Sequence, residues 1–323
     1  MTEFRNRVFG CAIVKAINSN YNADFSGQPR TLPSGIVYAT DKAFKYMIKR
    51  YLKDVYPNEP ILNFKRFKSE FTPLDLSETY EYLFKAKVSE DTLDAIAKNL
   101  LSCIDVRFFG ATFAPKGQNI KNKNLSIHGP VQINHGVNIW KENNIFTEQI
   151  LSPFRNPDKN PEDTDKKNDQ ENQEKQATTI GRQSKLEEGH YLHHFSINPK
   201  NLKDVTAIAA EGKQILTSKD IDKLKEAMRR SVTWYDSASK AGCENEMLVW
   251  IQLSDDSKIV LPNFLSLIDL LPNKKDNKYV FDFSKFNEKL QELPDEIETI
   301  EIYYNKQTVI LENKPENAIQ MDI

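Results

Sequence analysis

The run RVFGCAIVKAI, from Arg7 to Ile17, limits what this chain can become more than any other stretch. It is almost continuously apolar and rich in Val, Ile and Phe, as expected of a strand buried in the centre of a sheet. With 323 residues, 39% of them hydrophobic, the chain can bury a sizeable core as one elaborated domain or two smaller ones. No stretch approaches the ~20 apolar residues of a membrane span, and Met1 to Arg5 begins no hydrophobic signal; a soluble, cytoplasmic protein is expected. Cys11, Cys103 and Cys243 are odd in number and lack Cys-x-x-Cys spacing, so reduced core thiols are expected rather than disulfides or a zinc knuckle. The net charge of -2 conceals an asymmetry. Residues 1–60 carry nine Lys or Arg against five Asp or Glu, whereas residues 254–323 carry eight against fourteen. An anionic partner should meet the N-terminal part.

After the first strand comes INSNYNADFSGQPRTLPSG, a long loop dense in residues that favour turns. The pattern then turns helical. Phe44, Met47, Ile48, Tyr51 and Leu52 recur at helical spacing, with Thr40 or Asp41 placed as cap. Lys42, Lys45, Lys49 and Lys53 fall on the opposite face, in a stripe roughly 80 degrees wide that can act as one cationic ridge. Residues 55–85 show no clean period and read as an irregular insertion. Ser89 is placed to cap a helix carrying Leu93, Ile96, Leu100 and Leu101, and IDVRFFGATF from Ile104 reads as a second strand. Residues 119–138 read as loop, broken by Gly129-Pro130 and Gly136. Residues 155–178 have no large apolar side chain and mix five basic with seven acidic residues, so an exposed, mobile insertion is expected. GHYLHHFSI from Gly189 alternates Tyr191, His193, Phe195 and Ile197 on one face of a strand. A helix from Ser218 follows, with Ile221, Leu224, Met228 and Val232 inward, and MLVWIQL from Met247 supplies another strand. The strong elements run β, α, β, β, α, β with large insertions, the α+β, ferredoxin-like plan of RNA-recognition domains. The acidic stretch 254–323 should pack beside that core.

No Gly-x-Gly-x-x-Gly, Walker pattern or Gly-x-Ser-x-Gly elbow occurs, so nucleotide hydrolysis is not expected. His193 and His194 point to opposite faces of a strand and cannot chelate one metal. A charged helix face is most often merely solvated. This ridge, however, follows an Asn-rich loop that also holds Arg30, in the most basic part of the chain. Amides in such a loop can hold sugar and phosphate while lysines release counterions. Phe108 and Phe109, beside Arg107, are candidates to stack on bases, although a strand would send one of the two into the core.

Several blocks carry a family resemblance: RVFGCAIVKAINSNYNAD with Gly27-Gln28-Pro29-Arg30, Gly35 ahead of the lysine helix, and Asp105 to Ala111. Gly129-Pro130-Val131-Gln132, and Thr179-Ile180-Gly181-Arg182 ahead of Glu188-Gly189-His190-Tyr191, complete the set. In this order they resemble the Cas family-seven backbone subunits of type I CRISPR complexes, closest to subtype I-B. The first loop departs from the family's usual Ser-Asn-Pro-Asn-Gly-Asp-Pro at Tyr21, Ala23 and Phe25. The resemblance implies a palm with the RNA-recognition fold over residues 1–253, a helical insertion at about 55–100, and a thumb hairpin at about 150–188 that wedges between guide nucleotides. It implies guide-RNA contacts from Ser19, Asn20, Asn22, Arg30, Lys42, Lys45, Lys49, Arg107, Gln132, Arg182 and Lys185, with Leu186 or Ile180 as the apolar wedge. It further implies no catalysis and no cofactor or metal. The implied partners are guide RNA, head-to-tail copies of the chain, other Cascade subunits (Cas family five and the large subunit) and target DNA through the guide. The enzyme alternative is a type III-like subunit that cuts target RNA with a metal and Asp24.

The hydrophilic composition of the insertion yields a first test. Deleting residues 158–175 should leave a soluble protein with a cooperative melt; loss of either would mean that a structural element lies there.

Overall fold

The computed structural model describes residues 2–117, 120–151, 180–212 and 215–323; the expected insertion at 155–178 lies outside them. The strands in chain order are β1 (Val8–Ser19), β2 (Tyr38–Ala39), β3 (Gly110–Phe113), β4 (Leu125–His128), β5 (Val131–Ile133), β6 (Gly136–Asn138) and β7 (Ile145–Leu151). They continue as β8 (Ile180–Ile197), β9 (Cys243–Leu253), β10 (Asp269–Leu270), β11 (Tyr279–Asp282), β12 (Ile297–Tyr304), β13 (Val309–Glu312) and β14 (Ile319–Asp322). The α-helices are α1 (Asp41–Val55), α2 (Leu76–Phe84), α3 (Leu93–Ser102), α4 (Ile104–Phe109), α5 (Lys203–Ala209), α6 (Ser218–Trp234) and α7 (Ser284–Gln291).

β1 lies in the middle of a sheet ordered β14-β12-β9-β1-β8-β6-β2, antiparallel to both β8 and β9. β8 is long enough to take partners along its length: β5 at Phe195–Ile197, β6 at Tyr191–Leu192 and β7 at Ile180–Leu186. The two faces of β1 enter different cores. Val8, Ala12, Val14 and Ala16 join Tyr191, Phe195, Leu248, Trp250 and the inner faces of α1 and α6. Phe9, Cys11 and Ile13 join Met247, Val249 and Ile251 under Phe264, Phe281, Phe283 and Phe286. A strand covered on both faces is apolar at nearly every position, which is why the run 7–17 lacks alternation; buried Lys15 is the exception and is paired with Glu244 at 2.5 Å. Gly10 sits opposite Phe195 on one side and Trp250 on the other. A Cβ there would lie 2.1 Å from the Val249 carbonyl oxygen and 2.6 Å from the Phe195 ring, so the absence of a side chain is what lets both aromatics close over the strand.

Residues 254–323 therefore do more than pack beside the core. β12 and β14 extend the sheet, while the three-stranded β10-β11-β13 sheet and α7 cap its second face. A polar lock fastens this cap. The Tyr279 hydroxyl donates to Glu188 Oε1 (2.5 Å), and buried His190 places Nδ1 2.6 Å from Glu246 Oε2. The hydrogen bond from His190, with that from Tyr279, pulls the Glu188 carboxyl down to about 2. All three cysteines are buried and unpaired, and among the described residues no helix is long and apolar enough to cross a membrane.

Several sequence expectations need correction. Ile104–Phe109 is a helix, not a strand. Its Asp105 carboxylate accepts from the Leu62 and Asn63 amides at 2.8 and 2.9 Å, and Gly110, at φ 73, ends it; β3 begins only there and pairs with β4, outside the main sheet. α3 is capped by Thr92 rather than Ser89, and Leu93 is exposed. The stretch 55–85 contains α2, opened by a capping box of Asp75 with Glu78. Residues 119–138 hold three short strands rather than loop alone. α1 and α6 are as expected, with Thr40 the cap of the first and Thr217 that of the second.

The packing around Gly10 predicts that Gly10→Ala lowers stability by about 1–3 kcal/mol. The midpoint of a denaturant titration should fall at constant slope; an unchanged midpoint would mean that β1 is not clamped between Phe195 and Trp250.

Candidate nucleic-acid interface

The loop after β1 is shaped by internal bonds and anchored at three places. Tyr21, one of the departures in its sequence, turns inward and is fully buried. Its ring packs 5.0 Å from Tyr191, and its hydroxyl lies 3.1 Å from His193 Nε2. The Asn20 amide nitrogen donates to the carbonyls of Gly27 and Ser184, both at 3.1 Å, fixing the loop to the base of the β7-β8 hairpin. Asn22 Oδ1 accepts from the Thr40 amide (2.9 Å) and hydroxyl (3.0 Å), fixing it to the start of α1. Between these anchors Asp24 Oδ1 accepts from Ser26 N, Ser26 Oγ and Gln28 N. The Ser26 hydroxyl leads in holding the Asp24 carboxyl below its ordinary range. Arg30 donates through Nε to the Ala23 carbonyl, 3.1 Å away. Phe25 stands clear of the surface at the tip.

His193 makes the deepest of these supports. Its Nδ1 lies 3.0 Å from the Asn134 carbonyl oxygen, which can only accept, so Nδ1 carries the proton and Nε2 receives the Tyr21 hydroxyl. Phe44 of α1 stacks on its other side, at 4.9 Å. Burial pushes this imidazole down to about 4.

The residues singled out from sequence do not fall in one place. Asn22, Arg30 and Lys42 surround the anchored loop, and Arg182, Lys185 and Leu186 lie on the adjoining hairpin, where Ser19 pairs with Leu186. Ser19 and Asn20 are buried and act as supports, Ser19 Oγ lying 3.2 Å from Cys243 Sγ. Leu186 is fully buried at the hairpin base, which overturns its assignment as a protruding wedge. The side chain of Ile180 is outside the described residues; Ile150, on the facing strand, is 47% exposed. Lys185 pairs with Glu148 at 3.0 Å, while Arg182 is exposed.

The lysine stripe of α1 is not an open ridge. Lys42 and Lys53 are exposed, but Lys45 is tied to Asp41 at 3.2 Å and lies over the Phe109 ring, and Lys49 donates to the Asn63 carbonyl at 2.9 Å. Burial under the 61–64 segment lowers the Lys49 pKa. α4 and the 61–64 segment cover part of the face opposite the apolar stripe. Arg107 is half-buried, bound to Asp220 at 2.8 Å, to Glu59 at 3.4 Å and to the carbonyls of Leu101 and Ser102. Its fork is filled by protein. Gln132 is exposed on β5, opposite Ser196, ten positions along β8 from Leu186 and so about 33 Å from the loop cluster at ~3.3 Å per residue. Phe108 is buried and Phe109 half-buried, so neither offers a free ring face. Tyr21, His193, Ser184 and Thr40 escaped sequence reasoning as loop supports; an aromatic within an otherwise polar loop was the one visible signal. Among the described residues no group of three or more His, Cys, Asp or Glu is placed to hold a metal ion.

The family of CRISPR-associated protein Cas7 matches over residues 6–291. Among solved structures, a chain of a CRISPR RNA-guided surveillance complex, pre-nicking, is similar with a TM-score of 0.56 at 13% identity, over 98% of this chain and 96% of that one. A chain of a second CRISPR RNA-guided surveillance complex gives 0.49 at 13% identity, over 97% and 95%. No curated protein matches.

The neutral, buried state of His193 has a pH signature. The unfolded imidazole protonates near 6.5, the folded one only near 4. Between those values the unfolded chain binds more protons, so stability should fall with decreasing pH, by about 3 kcal/mol in all. His193→Gln should flatten this limb in denaturant titrations between pH 7 and 4; an equal slope in both proteins would refute the assignment.

Proposed function

This chain belongs to the CRISPR-associated Cas7 family, and we propose from that premise that it is the guide-RNA-binding backbone subunit of a type I surveillance complex. In this reading it polymerises head to tail along the guide, supports pairing with target DNA and performs no chemistry itself. The observation that carries it is the anchored loop. Guanidinium and ammonium groups lie on the elements this loop ties together, Arg30 within it, Lys42 in the first turn of α1 and Arg182 on the hairpin strand whose Ser184 holds Asn20, a set suited to sugar and phosphate rather than to base edges.

The sheet order β9-β1-β8-β5, with α1 between β1 and β5 in sequence and α6 between β8 and β9, supports reading residues 1–253 as a ferredoxin-like palm. Residues 55–100 are its helical insertion, the β7-β8 hairpin its thumb, and residues 254–323 an extension closing its second face. Because both faces of the sheet are covered, guide RNA runs along the rim rather than across the strands. Lys42, Arg30 and Arg182 carry the phosphate contacts, Lys45 and Lys49 support them from a half-buried row, and Arg107 is assigned to structure. With Leu186 buried, Ile150, which is more exposed than Ile145 on the same hairpin strand and lies farther from its base, replaces it as the candidate wedge. Asp24 acts as a turn former, its Oδ1 already accepting three hydrogen bonds.

Co-expression with a CRISPR transcript should yield chain bound to protected RNA, with copy number rising as the guide is lengthened. A discrete dimer indifferent to guide length would overturn this reading. Regularly spaced cleavage of complementary RNA with magnesium, lost in Asp24→Asn, would instead establish a nuclease. Lys42→Ala combined with Arg182→Ala should lower the salt slope of RNA binding by about 1.4, at about 0.7 per phosphate contact. An unchanged slope would remove these two from the guide path.

A further inference from the structure

We infer that Phe25 is a base-stacking residue whose ring takes the face of one guide nucleobase. The inference rests on the guide-binding reading above and adds to it a contact with a base rather than with the backbone.

Phe25 is 106% exposed, and the one ring contact it makes among the described residues is with the Arg30 guanidinium, 6.0 Å from its centroid. Full exposure in a floppy loop would mean little. This loop is fixed: Asp24 accepts three bonds around the turn, and Asp24 N donates to the Gln28 carbonyl and Gly27 N to that of Asp24. Asn20 ties Gly27 to the hairpin base, and Tyr21 roots the loop on His193. The ring is thus held out on a rigid mount, which lowers the ordering cost of binding.

Its surroundings select the partner. Around it in the loop, Asp24, Ser26, Gly27, Gln28 and Arg30 offer no second large apolar side chain, and Pro29 is buried. A protein partner would be expected to bury a cluster of apolar residues around such an anchor. A nucleobase offers a flat π-face with polar edges and a phosphate close by, which matches one aromatic ring beside one guanidinium.

The test measures the full chain binding a guide-sequence RNA oligonucleotide of one-copy length carrying 2-aminopurine, and assembly along a longer guide. Phe25→Ala should weaken binding roughly 5- to 150-fold, raise 2-aminopurine emission at one position and leave both salt slope and melting temperature unchanged. Phe25→Trp should restore affinity and quenching. Wild-type affinity and quenching in Phe25→Ala would overturn the inference while leaving the guide-binding reading intact. So would normal binding to short RNA with lost assembly on long RNA, since the ring would then sit on a neighbouring copy. A wild-type chain that binds no RNA would instead sink the guide-binding reading itself.

Discussion

Everything else in this structure depends on β1 being paired along both edges and covered on both faces. A strand so enclosed has no polar side available, so its neighbours have to supply complementary apolar surfaces above and below. α1 and α6 supply one, and the C-terminal cap with its phenylalanines supplies the other. RNA-recognition domains that stack bases on an open sheet keep one face bare. Here that face is spent on a second hydrophobic core, which leaves the rim, where loops and a hairpin leave the sheet, for the guide contacts proposed above.

The rim is precise because its supports are buried. Tyr21, His193 and Phe44 form a column from the loop through β8 to α1, each member fixing the next by a hydrogen bond or ring contact. The Asn134 carbonyl sets the imidazole tautomer, so the column has one arrangement of protons in its neutral form. Asn20 and Asn22 then spend their amide groups on the protein's own backbone. Their part is to shape the loop, while Arg30 and the exposed groups beside it face outward.

How much of this was legible in the sequence followed from how locally each feature is encoded. α1 and α6 showed clear periodicity because their burial is one-sided, and β1 stood out as an apolar run because both its faces are buried. Ile104–Phe109 misread as strand because its Val, Phe and Ile content suits a sheet, whereas its helix is fixed by the Asp105 carboxylate capturing amides from residues 62 and 63, a contact more than forty positions distant. α2 was missed although Asp75 and Glu78 spell a capping box, since its aromatics follow no apolar stripe. The basic residues proposed for the site stood out by type and position, but their surroundings did not. Lys49 and Arg107 look like phosphate ligands until the 61–64 segment covers the one and Asp220 and Glu59 occupy the other. Leu186 looked like a wedge only while its neighbours were unknown.

β8 is one unbroken strand that begins in the hairpin beside β7 and ends in the core beside β1 and β5. Mechanically it is a lever without a hinge. A load at the hairpin meets resistance at its base, because the ladder to β1 keeps one antiparallel register from Val8 to Ser19, skipping Asn18, and Glu188 is clasped by Tyr279 of the C-terminal cap. Strain must instead spread as twist through the whole sheet. In an array of copies, that stiffness would let the pitch of the assembly be set by the fold itself rather than by the strand it carries.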